Sequence, residues 1–180
     1  MKRLAATLFL MIFTISQPQA AALFGEHEVF DAAVQNDPEV IEQYLLKGEN
    51  VNIRDSSNTP LLVRAAEAGA VSIIEILIKH KASLNLSDKH GNTAIMQAAV
   101  QGHPEVIEKL LKAGAKVDVE NKQGETALIK AATSGNLDAV KILMQYDADL
   151  AFTDFTGRTA LDHARESRHH DVIRILEALR

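Results

Sequence analysis

The stretch Asp88 to Thr93, "DKHGNT", puts a carboxylate, an imidazole, a glycine and a hydroxyl within six residues. Such a set could hold a metal through Asp88 and His90, or cradle a phosphate on the backbone around Gly91. A second group lies near the C-terminus, where His169, His170 and Asp171 follow His163 and offer surface metal adsorption. His103, next to Pro104, is a third reactive-looking side chain. Two ligands do not make a metal site at Asp88 and His90, and the C-terminal group reads better as a solvated cap. The chain has no cysteine, which removes thiol nucleophiles, zinc thiolates and disulfides. It also lacks a G-x-x-x-x-G-K phosphate loop and a nucleophile with a matching base.

The elements that carry these residues repeat every 33 positions from about residue 25 onward. Ala32, Ala65, Ala98, Ala131 and Ala164 mark the frame, and Ala33, Ala66, Ala99 and Ala132 follow directly. Gly69, Gly102 and Gly135 form one glycine column, with Asn36 and Arg168 in the outer units. Apolar pairs come next, and Val106-Ile107 recurs one helical turn later as Leu110-Leu111. That spacing marks one buried stripe on a helix. Each unit therefore reads as two short helices: an alanine-rich one ended by glycine, and a second opened near "HPEV" by Pro104 and Glu105. No unit can bury its apolar face alone, so the units must stack.

These segments, "TPLLVRAAEAG", "TAIMQAAVQG", "TALIKAATSG" and "TALDHARESR", resemble ankyrin repeats, with a degenerate first unit "HEVFDAAVQN". The resemblance spans about Phe24 to Arg180. It implies an all-α solenoid of helix-turn-helix units with β-turn or hairpin tips, in windows of about 26–58, 59–91, 92–124, 125–157 and 158–180. Two departures stand out. Strict counting places Pro60 rather than Thr59 opposite Thr93, which predicts an offset or bulge in the first turn of that helix. The signature histidine is replaced by Val63, Met96, Ile129 and Asp162, so its local hydrogen bonding is in question.

Within that frame the chemistry shrinks. Asp88 shares a column with Asp55, Asn121 and Asp154, the residue types that hydrogen-bond the backbone of tight turns. His103 sits at the turn between helices and reads as a local hydrogen-bonding residue rather than a catalytic one. Function is expected where the repeat leaves residues free. On the first helices these are Arg64, Gln97, Lys130 and His163, then Gln101 and Ser134 a turn later. On the tips they are Arg54, Lys89, His90, Asn92, Lys122, Gln123, Phe155, Thr156 and Arg158. By the resemblance, these positions line the concave side that binds a partner protein. Their charge suggests a partly basic groove, whereas the second helices carry Glu42, Glu75 and Glu108. The expected partner is therefore a protein with an acidic patch. Phe155 is either an exposed anchor or a cover folded onto Phe152. No cofactor, metal or enzymatic activity is expected, and the chain is expected to be a monomer.

The N-terminus differs from the rest. "MKR", the run "LAATLFLMIFTI" and the small residues of "QPQAAA" form the three parts of a secretory signal peptide over residues 1–22, with cleavage near Ala22 and the repeat domain from 23 to 180. The run is shorter than the roughly 20 apolar residues of a membrane span. Its loss would remove Lys2 and Arg3 and no acidic residue, leaving the remainder more negative than the −5 of the full chain. That charge disfavours nucleic acid as a partner. A periplasmic, exported binding module is expected, with no membrane attachment after cleavage. An immunity-type inhibitor of a toxin acting in the periplasm is the alternative.

Overall fold

The computed structural model describes residues 25–178; the apolar N-terminal segment and its cleavage site lie outside the described residues. Among these are ten helices: α1 (Glu26–Gln35), α2 (Pro38–Leu46), α3 (Leu61–Glu67), α4 (Val71–Lys79), α5 (Ala94–Gln101), α6 (Pro104–Lys112), α7 (Ala127–Ser134), α8 (Leu137–Gln145), α9 (Ala160–Glu166) and α10 (His170–Ala178). Odd-numbered helices pack in one row, α1 on α3, α3 on α5, α5 on α7 and α7 on α9. Even-numbered helices form the second row, and each pair is closed by its own turn.

The alanine frame explains the inner row. Ala65, Ala66, Ala98, Ala99, Ala131 and Ala132 are fully buried, so the inner helices approach closely on both sides. The stripe predicted for the outer row is also buried: Val106, Ile107, Leu110 and Leu111 in α6, Ile73, Ile74 and Leu77 in α4. Each such side chain contributes about 1.5 to 3 kcal/mol through removal from water. Pro104 and Glu105 open α6 as their types dictate.

The offset predicted at Pro60 does not occur. Pro60 pairs with Arg54 across the tip as Thr93 pairs with Ser87 and Thr159 with Thr153. Its carbonyl accepts from the N–H groups of Val63 and Arg64, so it simply takes the N-cap place of Thr93. Proline fits because that position is extended, at φ −63° and ψ 148°, and its missing N–H is not needed there. The positions of the signature histidine divide. Val63, Met96 and Ile129 are core residues, whereas Asp162 closes a capping box with Thr159.

The turn between inner and outer helices holds neighbouring units together. The His103 ring bonds the Glu67 carbonyl at 3.2 Å, Asn136 donates to the carbonyls of Ala99 and Val100 at 2.7 Å, and the His169 ring bonds the Thr133 carbonyl at 3.0 Å. These are bonds to the preceding inner helix, not the local bonds expected for His103. They also account for the glycine column. A Cβ on Gly135 would lie 2.5 Å from His169 Nδ1, and Gly69 and Gly102 face His103 and Asn136 in the same way. Asn36 and Arg168 occupy this column with positive φ. The residue that follows over Asn36 is the small Ala70, and among the described residues no further helix pair packs over Arg168.

Candidate partner-binding surface

Each tip is built on one side chain. Oδ1 of Asp55, Asp88, Asn121 and Asp154 accepts from the backbone N–H groups two and four residues on, at 2.8 to 3.0 Å. Both oxygens of Asp88 are occupied in this way, the second by the amides of Asn92 and Gln97, so the carboxylate serves the turn. No group of three or more histidine and acidic side chains with metal-binding geometry occurs among the described residues. Neighbouring tips touch where a glycine allows it. Lys122 N–H donates to the His90 carbonyl and Phe155 N–H to the Gln123 carbonyl. A Cβ on Gly124 would meet the Phe155 ring at 2.6 Å.

The second oxygen of the tip residue reaches the inner helix nine positions later. Arg64 Nε donates to Asp55 Oδ2 at 2.8 Å, Gln97 to Asp88 Oδ2 at 3.4 Å, and the His163 ring meets Asp154 Oδ2 at 2.9 Å. In the third tip Asn121 and Lys130 both hold the Glu125 carboxylate. The column Arg64, Gln97, Lys130 and His163 thus braces tips against helices. His163 is buried, so it is withdrawn from the partner-facing surface: a ring paired with an equally buried carboxylate is a strut.

Electrostatics follow from these bonds. Burial would raise the carboxyl of Asp154, but the Thr156 hydroxyl, the Arg158 N–H and the His163 ring overcome it and hold the group far below the aspartate range. Asp55 and Asp88 are lowered for the same reason, burial opposing and turn N–H groups prevailing, with Arg64 assisting at Asp55. The basic side chains of the groove are correspondingly engaged. Arg64 pairs with Asp55 and Glu67, and Arg158 with Asp154 and Glu166. Arg54 bonds the carbonyls of Asn58 and Ser87. Lys89 and Lys122 are exposed and form no ion pair among the described residues. The outer acidic column is itself partly matched, since Lys109 pairs with Glu75 across α6 and α4, and Lys112 with Glu108. The charge contrast between the two faces is smaller than the sequence suggests.

The exposed remainder of the predicted surface is Lys89, His90, Gln101, Lys122, Gln123, Ser134, Phe155 and Thr156, with Asn92 half-buried between tips. Asn92 also accepts from Asn121. Phe155 is 75% exposed, with its ring over Gly124 of the preceding tip. A cleft of about 530 Å³ at the α1 end of the groove was missed by sequence reasoning. It is lined by His27, Phe30, Asp31 and Val34 of α1, by the Asp55–Ser57 tip, and by Arg64, Glu67 and Ala68. Val34 offered no distinguishing signal, because its column holds Val100 as well as Glu67, Thr133 and Glu166.

Two rows of short helices, bonded unit to unit and edged by turns with no catalytic constellation among the described residues, define a helical repeat solenoid with an open concave side. The family description "Ankyrin repeats (3 copies)" matches residues 29–121 and again 96–178. The chain belongs to the ankyrin repeat family. No curated protein matches it. No helix among the described residues is long and apolar enough to cross a membrane.

Proposed function

We propose that this chain is a non-enzymatic binding module that docks one partner protein along its tips and inner helices. Ankyrin repeats are in general protein–protein interaction modules. The observation that carries the choice of surface is Phe155, 75% exposed in a row of tips whose preceding members are the free Lys122 and Lys89. An exposed aromatic on a backbone held by an N–H to Gln123 is a preformed anchor, ordered before the partner arrives. The two lysines favour a partner whose acidic patch borders an aromatic-accepting pocket. Cations already engaged by carboxylates, Arg64, Lys130 and Arg158, contribute less than the sequence suggests.

Export to the periplasm rests on the N-terminal pattern "MKR" plus "LAATLFLMIFTI" plus "QPQAAA", and the partner is then itself an exported protein. Binding as a monomer to such a partner is the leading reading. An immunity-type inhibitor that inserts Phe155 and its neighbours into a toxin's acidic cleft is the second. Affinity capture from periplasm with wild type and with a Lys89→Glu, Lys122→Glu, Phe155→Ala variant tests both. A partner lost from the variant while its melting temperature stays unchanged supports the reading; equal capture by both proteins overturns it. Growth protection against an exported toxin distinguishes the inhibitor.

A further inference from the structure

The groove changes character at its α1 end. Among the described residues no tip precedes α1, and the space bounded by α1, α3 and the Asp55–Ser57 tip is the cleft of about 530 Å³. That is within the range of about 300 to 1,000 Å³ typical of ligand clefts. The next cleft along the groove, between the second and third helix pairs, is about 180 Å³ and bounded by polar and charged side chains such as Ser57, Asp88 and Gln97. The first cleft instead has an apolar floor of Phe30, Val34 and Ala68, and Val34 is 54% exposed.

Its rim is acidic. Asp31 occupies the column held elsewhere by Arg64, Gln97, Lys130 and His163, so this unit reverses the charge of that column. The Asp31 side chain is exposed and makes no hydrogen bond or ion pair among the described residues. Asp55 and Glu67 also line the cleft, and the one guanidinium present, Arg64, is engaged by both of them. A carboxylate without a partner beside exposed aliphatic surface is matched by a cation on an aliphatic stem.

We infer that this cleft is a subsite for a partner segment presenting a lysine or arginine next to an aliphatic side chain. The aliphatic group rests on Phe30, Val34 and Ala68, and the cation meets Asp31 at the rim. The inference rests on the groove being a protein-binding surface and adds a polarity to it. Basic character is selected at the α1 end and acidic character at the Lys89 and Lys122 tips, so a partner chain fits in one direction only.

A random octapeptide display library panned on the full chain, on Asp31→Arg and on Lys122→Glu tests this. The expected result is enrichment of peptides with a basic residue adjacent to Leu, Ile or Val. A synthetic peptide of the selected sequence should bind Asp31→Arg at least about tenfold more weakly, the loss of one well-placed charge contact, and Lys122→Glu with unchanged affinity. Absence of enrichment, selection of acidic peptides, or equal binding to Asp31→Arg overturns the inference. So does a dimer that Val34→Arg dissociates, which assigns the cleft to a second copy. Selection that succeeds only after residues 1–22 are removed assigns it to the chain's own N-terminal segment. Loss of partner capture on tip substitution together with any of these outcomes leaves the tip-binding function standing and removes only this subsite.

Discussion

At the residue scale, the side chains that look most reactive hold the repeat together. His103 and His169 bond carbonyls of the preceding inner helix, and the glycines beneath them exist because those rings lie there. Gly135 has φ 72° and would place a Cβ 2.5 Å from His169 Nδ1, whereas Gly157 has φ 81° with nothing within 4 Å. Gly157→Ala should therefore cost only the left-handed backbone strain, about 1 to 2 kcal/mol. Gly135→Ala should cost that plus displacement of His169 and loss of its bond to Thr133, roughly another 1 kcal/mol. Urea denaturation of the two variants measures the difference. In a His169→Ala background the two substitutions should converge, because the ring that separates them is gone. The natural occurrence of Asn36 over Ala70 follows the same rule.

At the element scale, a second set of brackets crosses between units on the loops that follow the outer helices. Asn52 accepts from Ser83 N–H at 2.8 Å and Asn85 from Lys116 N–H at 2.9 Å. Asp118 occupies the same position before Asp149, but its contacts are 3.3 Å. Burial raises the Asp118 carboxyl; the Asp149 N–H works against this, and the Asp149 charge adds to it. An acid raised by folding contributes stability that is fully present below its unfolded value, about 3.9, and lost as pH rises through the folded value. Asp118→Asn keeps the acceptor and removes the charge. It should stabilise the chain by about 0.5 to 1 kcal/mol at neutral pH, with no gain near pH 3. Thermal melts at the two pH values check this, and equal shifts at both would show that charge is not the cause. These elements were largely legible in the sequence because alanine, glycine and paired aliphatics recur at fixed intervals, each imposed by packing within one unit. The brackets between units were not legible. They join residues some 30 positions apart through types as different as His103 and Asn136, in a column that also holds Ala70, and a column comparison shows this only as variation. The same limit hid the burial of His163, since the sequence reads its partner Asp154 only as a turn residue.

At the scale of the whole molecule, the helix pairs among the described residues pack chiefly on their neighbours, so one continuous buried cluster is assembled from a chain of local interfaces. Position along the stack must then decide what a core truncation does. Ile107 in α6 and Leu176 in α10 are equally buried, at 0% and 1% exposure. Either truncation to alanine removes comparable apolar contact, about 2 to 5 kcal/mol. Ile107 lies between pairs that depend on it from both sides, because α6 packs on α4 and α8. Ile107→Ala should lower the melting temperature of the entire helical signal and reduce amide protection from α3 through α8. Leu176 lies where α10, among the described residues, packs chiefly on α9 and α8. In Leu176→Ala the last pair can open while its neighbours persist, so protection should fall in α9 and α10 and remain in α3 to α6. Hydrogen exchange on the two variants separates these cases. Uniform loss of protection in Leu176→Ala would mean that the stack unfolds as a single unit, with the brackets at Asn136 and His169 coupling the pairs more tightly than their packing alone.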